Sequence, residues 1–361
     1  MNTLLIVSNT IGRSPEYIAY IKRTVENSND PLRTEVIVDE ADKSLPLTIQ
    51  ALCDLSKNLF IVTSHKSFAT VGKIIATLND DSLEAKADLL IPASSDLYDE
   101  TGYRVRVGEC TLNVLQAVFN KDLPKLLIRD KSPRITLNVF GMDADDATLL
   151  LSGFAASSRI RLEHTTHLGG WGMITLHPEP SGDINHFLEN AQSLFAGKIT
   201  VADDIVAHIV ERLSKLGRTI TFAESCTGGL IASLFTQVSG SSAVFDGSMV
   251  TYANEIKSGW IGVNATSLIA FGAVSTPVVE EMAAGILNKT GAHYALAVSG
   301  VAGPTGGSVE KPVGTVYIAM ANRESGVRSE RLSLQGDREY IRRASAFHTI
   351  RLLLEHNPEL I

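Results

Sequence analysis

The stretch Thr219–Gly229, TITFAESCTGG, constrains this chain more tightly than any other. Residues 219–223 read as a short buried strand, and the LIASLF that follows reads as a helix face. Between them stand, among others, a serine, a cysteine, a threonine and two glycines, the composition of a sharp turn whose backbone N–H groups point outward. Ser225 therefore either ends the strand and starts the helix, or attacks something. The second role needs a base from elsewhere in the chain.

The rest of the chain divides into regions of different style. In residues 1–131, the apolar run TLLIV is a strand, and Ser14-Pro15 open a helix with a cap and a proline at its first position. Ile18, Ile21 and Val25 recur at helical spacing, NLFIVTS is a second apolar strand, and VGKIIATL continues as a helix. This is an α/β sandwich with a mostly parallel sheet. Residues 132–198 read as a small α+β linking unit, with RITLNVFG, RIRLEHT and WGMITLHP as strands and INHFLENAQSLFAG as a helix. Residues 199–361 return to α/β. A helix ends at Gly217, strands TITFA, SMVTYA, YALAVSG and GTVYIAM follow, Thr276-Pro277 starts a helix and Asp337 caps the last one.

Composition narrows the function. The 361 residues, 44% hydrophobic and 20% charged, can bury full cores in more than one domain. A formal charge of −8 argues against a general nucleic-acid binder. No run is long or apolar enough to span a bilayer, and no basic segment precedes the opening MNTLLIVSNTIG as in a signal peptide. Cys53, Cys110 and Cys226 are too scattered for a disulfide framework or a metal-ligand pair. The expectation is a reduced, cytoplasmic, soluble protein.

A serine hydroxyl is a poor nucleophile at neutral pH without a partner to take its proton. His208 and His293 lie in ordinary helix and strand patterns. Lys257 has a better case. In SMVTYANEIKSGWIGV a strand ends near Tyr252 and a helix begins at Asn254, a good N-cap, which puts Lys257 where a capping box would have Glu or Gln. A cation in the first turn opposes the helix dipole at a cost of about 0.3–1 kcal/mol. A local rule broken without evident gain marks a place to look for function. Bringing a lysine from about 10.4 to a working value near 7–8 takes about 4 kcal/mol, so burial must supply most of it. Tyr252 is placed to hold the lysine or relay its proton. The competing readings are a solvated lysine and a serine that only makes the turn.

Three further features bear on a pocket. Gly228 and Gly229 let the backbone approach a ligand, and the next helix offers N–H groups for a phosphate or an oxyanion. Cys226 is the rival nucleophile, or an inert packing residue. VSGVAGPTGGSVEKPVG is a glycine-rich loop but no P-loop, since Lys311 is followed by Pro312. Arg338 and Arg342, four apart on the last helix, share a face and are either solvated or a clamp for a phosphate.

AESCTGGLIASLFTQVSGSSAVFDGSMVTYANEIKSGWIGV, GAVSTPVVEEMA, SGVAGPTGGSVEKPVGTVYIAM and GDREYIRRA, in this order from about Asp203 onward, resemble the C-terminal domain of the CinA (competence/damage-inducible protein) family. The resemblance implies a nicotinamide mononucleotide deamidase, with Ser225 as nucleophile, Lys257 as base and Tyr252 as an orienting hydroxyl. It further implies a pocket lined by Cys226, Thr227, Gly228, Gly229, Asn254, Ser299, Gly300 and Gly303, with Arg338 and Arg342 as basic partners. Family members usually carry threonine where Ser299 stands. No metal or cofactor is implied, the partner is a small nucleotide substrate, and the family's habit is a homo-oligomer, at least a dimer. The front region resembles the molybdopterin-binding-like domain of full-length members, which carries T-G-G-x-G-P-T-x-D-D and in some members cleaves ADP-ribose with a metal. VTSHKSFATVGK stands in that place. Of the signature only Thr63 remains, with His65 and Lys66 where a divalent ion would want carboxylates, so the fold is expected to persist without the pyrophosphatase. A non-catalytic nucleotide-binding or assembly protein is the alternative, and glutamine-type amides are another conceivable substrate.

Overall fold

The computed structural model describes residues 1–132 and 134–361. They form two compact units, the second being Arg134–Ile361. The first carries strands β1 (Asn2–Val7), β2 (Leu32–Val38), β3 (Asn58–Thr63), β4 (Leu83–Lys86), β5 (Leu89–Pro92), β6 (Leu97–Asp99), β7 (Gly102–Val107) and β8 (Cys110–Gln116). Its helices are α1 (Asn9–Gly12), α2 (Pro15–Ser28), α3 (Leu45–Leu55) and α4 (His65–Leu78). A six-stranded sheet runs β2-β1-β3-β8-β7-β6, parallel through β8 and antiparallel beyond it.

Strands β1 and β3 are buried along their whole length, as expected where helices cover both faces of a parallel sheet. Leu5, Ile61 and Val114 pack with Ile49 and Val71 on one face; Leu4, Phe60 and Val62 pack with Ile21 and Val25 on the other. Pro15 starts α2 with Ser14 at the N-cap position, as the sequence predicts, but the Ser14 side chain makes no capping hydrogen bond. The β4–β5 hairpin and strands β6 and β7 are not apparent in the apolar pattern, because they are short or carry exposed polar residues.

The second unit opens with β9 (Ile135–Phe140), α5 (Ala144–Ser157), β10 (Ile160–Leu168), β11 (Trp171–Pro178), α6 (Ile184–Leu194) and β12 (Ile199–Val201). Their antiparallel sheet has the order β10-β11-β9-β12. There follow α7 (Ile205–Leu216), β13 (Ile220–Glu224), α8 (Leu230–Thr236), β14 (Ser248–Val250), α9 (Asn254–Ile261), α10 (Ala265–Phe271), α11 (Thr276–Thr290), β15 (Tyr294–Gly300), β16 (Thr315–Asn322), β17 (Gly326–Ser333) and α12 (Arg338–His356).

The five-stranded sheet β14-β13-β15-β16-β17 is parallel over its first three strands and antiparallel after β15. One face is paved with Ala223, Ala295, Ala297 and Ala319, small side chains that let α11 seat Val278 and Met282 closely. The other face buries Phe222, Leu296 and Val298 against α7, α8 and α12. Phe140 and Trp171 of the small sheet belong to that same core. Gly217 ends α7 in the left-handed conformation and Asp337 caps α12 through its side chain, both as the sequence indicates.

Candidate active site

Ser225 follows β13 directly, its N–H donating to the Val298 carbonyl at 3.0 Å. Gly228 and Gly229 take φ of +62° and +93°, a left-handed path that suits glycine and turns the chain at once into α8. The serine is buried, 8% exposed.

On the neighbouring side, β14 stops at Val250, three residues short of the extent of SMVTYA. Thr251 still donates its N–H to the Glu224 carbonyl, but its own carbonyl and that of Tyr252 turn to the lysine. Lys257 is 1% exposed. Its Nζ lies 2.7 Å from the Thr251 carbonyl oxygen, 3.1 Å from that of Tyr252 and 3.2 Å from Ser225 Oγ. Burial holds this amine below the usual lysine range, against opposing pulls from Cys226 and Glu255. The N-cap of α9 is Ala253 rather than Asn254, so Lys257 stands one position deeper in the helix than the sequence indicates, and its N–H closes a full turn to the Ala253 carbonyl.

The other pocket residues fall as follows. Tyr252 meets the lysine through its backbone; the residue is 63% exposed and its hydroxyl accepts from Arg338 Nη2 at 3.4 Å. Asn254 is exposed at the first turn of α9, with no hydrogen bond to Ser225 or Lys257 among the described residues. Burial pushes the Cys226 thiol up to about 12, which keeps it protonated and a weak rival to the serine. Ser299 is buried and donates through Oγ to the Ala273 carbonyl, tying β15 to the segment before α11.

Arg338 and Arg342 reach the two loops. Arg338 Nη1 donates to the Gly303 carbonyl at 2.6 Å, and Arg342 Nη2 donates to the Thr227 carbonyl at 2.7 Å, while Nη1 pairs with Glu339. Gly300 packs against β16, where an added Cβ would lie 2.6 Å from Val316 Cγ2. The histidines weighed as bases lie elsewhere: His208 meets Thr200 and the Leu360 carbonyl, and His293 meets Thr219.

Sequence reasoning passed over Glu224. It is fully buried, and its carboxylate accepts from the N–H groups of Gly229 at 2.9 Å, Ile231 at 3.2 Å and Ala232 at 2.9 Å. The N–H groups that the glycine turn offers a ligand are thus largely taken by the protein itself. The only signal in sequence was a charged residue closing an otherwise buried strand.

Among the described residues, no cluster of three or more His, Cys, Asp or Glu could hold a metal ion, and no helix is long and apolar enough to cross a membrane. In the first unit, the VTSHKSFATVGK segment holds the end of β3 and a tight helix start. Ser64 and Ser67 form a capping box, Ser67 Oγ donates to the Val7 carbonyl, and His65 Nδ1 lies 2.7 Å from Gln116 Nε2.

Residues 202–356 match the model of the CinA C-terminal domain. A CinA-like protein of Geobacter sp. (strain M21) is 34% identical over 345 residues, covering 90% of this chain and 79% of that protein. The chain belongs to the CinA family. The nicotinamide-nucleotide amidohydrolase PncC of Enterobacter agglomerans is 45% identical over 151 residues, 42% of this chain and 92% of that enzyme. A CinA-like protein of Myxococcus xanthus is 46% identical over 150 residues, a match that spans 36% of its length.

Proposed function

We propose that the C-terminal region hydrolyses the carboxamide of nicotinamide mononucleotide to nicotinic acid mononucleotide and ammonia, through an acyl-enzyme on Ser225. The observation that carries this reading is the buried Lys257 Nζ, 3.2 Å from Ser225 Oγ and held by two backbone carbonyls. A neutral amine has two hydrogens and one lone pair. With the hydrogens on Thr251 and Tyr252, the lone pair is left for the serine hydroxyl. The similarity to the amidohydrolase of Enterobacter agglomerans supplies the substrate.

In this mechanism Lys257 takes the Ser225 proton as Oγ attacks the amide carbon. The oxyanion falls to the amides of Cys226 and Thr227, which neither Glu224 nor the Ser225 carbonyl engages. As the C–N bond breaks, the lysine hands its proton to the leaving nitrogen and ammonia departs. Water then attacks the ester, gives its proton to Lys257, and the serine recovers it. Arg338 and Arg342, on one face of α12 beside the Gly303 and Thr227 carbonyls, are assigned to the substrate phosphate. The active species is a homodimer in a reduced, cytoplasmic setting. The first unit is assigned no pyrophosphatase activity, in keeping with the capping box at Ser64.

Ammonia release from nicotinamide mononucleotide by wild type and Ser225→Ala tests the assignment. Wild type should turn over, and the variant should lose at least about 10³-fold in rate. Equal rates would reject the serine mechanism, and a silent wild type would favour a binding role.

A further inference from the structure

Glu224 touches both halves of the Ser225–Lys257 pair through different groups. Its carboxylate holds the N–H groups of Gly229, Ile231 and Ala232, which fixes the turn that starts at Ser225. Its own carbonyl accepts the Thr251 N–H at 2.7 Å. Thr251 in turn offers its carbonyl to Lys257 Nζ at 2.7 Å. Pulling on one group therefore moves the serine turn, and pulling on the other moves the oxygen that aims the amine.

We infer that Glu224 is the positioning residue that sets the Ser225–Lys257 distance, acting through the turn and not on the substrate. A buried carboxylate is an expensive way to start a helix unless its oxygens are satisfied. Here three N–H donors satisfy it, and they are the donors a helix of only seven residues leaves orphaned. An exposed Ser, Thr or Asp would cap α8 as well at less cost. What the glutamate adds is reach: it ties the helix start back to the strand end next to the nucleophile. The carboxylate also occupies the place where a substrate anion would meet α8, so the phosphate is left to the arginines. The inference rests on the proposed chemistry of Ser225 and Lys257, but its test does not depend on the natural substrate.

Glu224→Gln replaces one acceptor oxygen by an amide NH₂ that faces N–H donors. The rate at which Ser225 is acylated by a p-nitrophenyl ester is measured for both proteins, with kcat and KM for nicotinamide mononucleotide alongside. The expected result is a fall of about 10²-fold in acylation and in kcat, the scale of a misplaced reacting group, with KM within about threefold of wild type because no substrate contact is removed. Unchanged acylation, or a rise in KM with kcat intact, would overturn the inference. If wild type reacts with the ester but not with the nucleotide, the substrate assignment fails and the acylation comparison still decides the role of Glu224. Should the variant not fold, hydrogen exchange of the wild-type Gly229, Ile231 and Ala232 amides decides: strong protection at all three is expected, and exchange at the rate of open amides would contradict it.

Discussion

At the scale of single residues, the lysine carries the argument. Its site was legible because a cation read into a helix's first turn breaks a local rule, although the structure sets it one residue deeper. What the sequence concealed was the means of holding it. Backbone carbonyls of Thr251 and Tyr252 do this, and carbonyls have no signature in side-chain pattern. The identity of residue 252 therefore bears on the lysine less than its backbone path does. Replacing Lys257 with Met should leave a folded protein with at least about 10³-fold lower kcat. The activity should also report on the amine directly. Burial lowers its pKa, so the neutral base forms at a lower pH than for a free lysine. The rate should climb with pH along an acid limb below the ordinary lysine range of about 10.4 and then level off. A pH profile of kcat checks this: a limb at the ordinary lysine value would mean an unshielded amine.

At the scale of elements, the Ser225–Lys257 pair depends on two close approaches. β13 and β14 lie parallel and adjacent, so the end of one delivers Ser225 beside the residues that follow the other. α9, which carries Lys257, is pressed against α11 at Gly285, where an added Cβ would lie 1.9 Å from the Ile261 carbonyl oxygen. Gly285→Ala should push α9 away, destabilise the protein by about 1–3 kcal/mol and lower kcat more than it raises KM. Urea denaturation together with steady-state kinetics would measure both. Helix starts marked by proline or aspartate were readable one by one, at Ser14-Pro15, Thr276-Pro277 and Asp337. The start of α8 at Leu230 was also readable, but its cap was not, because it comes from a glutamate in the preceding strand, outside the positions where local capping rules look. The same limit hid the antiparallel half of the five-stranded sheet: apolar runs identify strands, but not the direction in which each is paired.

At the scale of the whole molecule, α12 runs from Arg338 and Arg342, which hold the Gly303 and Thr227 carbonyls, to a buried cluster around His348 and Arg351. Arg351 pairs with Glu330 and Glu355 and donates to His348 Nδ1. Burial, then the Arg351 charge, bring the His348 pKa down to about 4, with Glu330 opposing and His167 reinforcing the shift. In the unfolded chain the ring titrates near 6.5. The folded state therefore binds fewer protons between these values. Stability from this residue is full above about pH 6.5, falls as the pH drops and levels off below about 4, a change of about 3 kcal/mol. Urea midpoints across that range should show the loss, and His348→Asn should flatten it. The α/β character of both ends was visible from composition and apolar runs. The shared core that joins Phe140 and Trp171 to α12 was not, since it depends on partners far apart in sequence.

The most direct measurement is to quench the wild-type enzyme in acid during turnover of nicotinamide mononucleotide and map any acyl group by mass spectrometry. A nicotinoyl-nucleotide ester on the peptide containing Ser225, absent in Ser225→Ala and strongly reduced in Lys257→Met, is the predicted result. Turnover in both variants at the wild-type rate, with the adduct elsewhere or nowhere, would contradict the account.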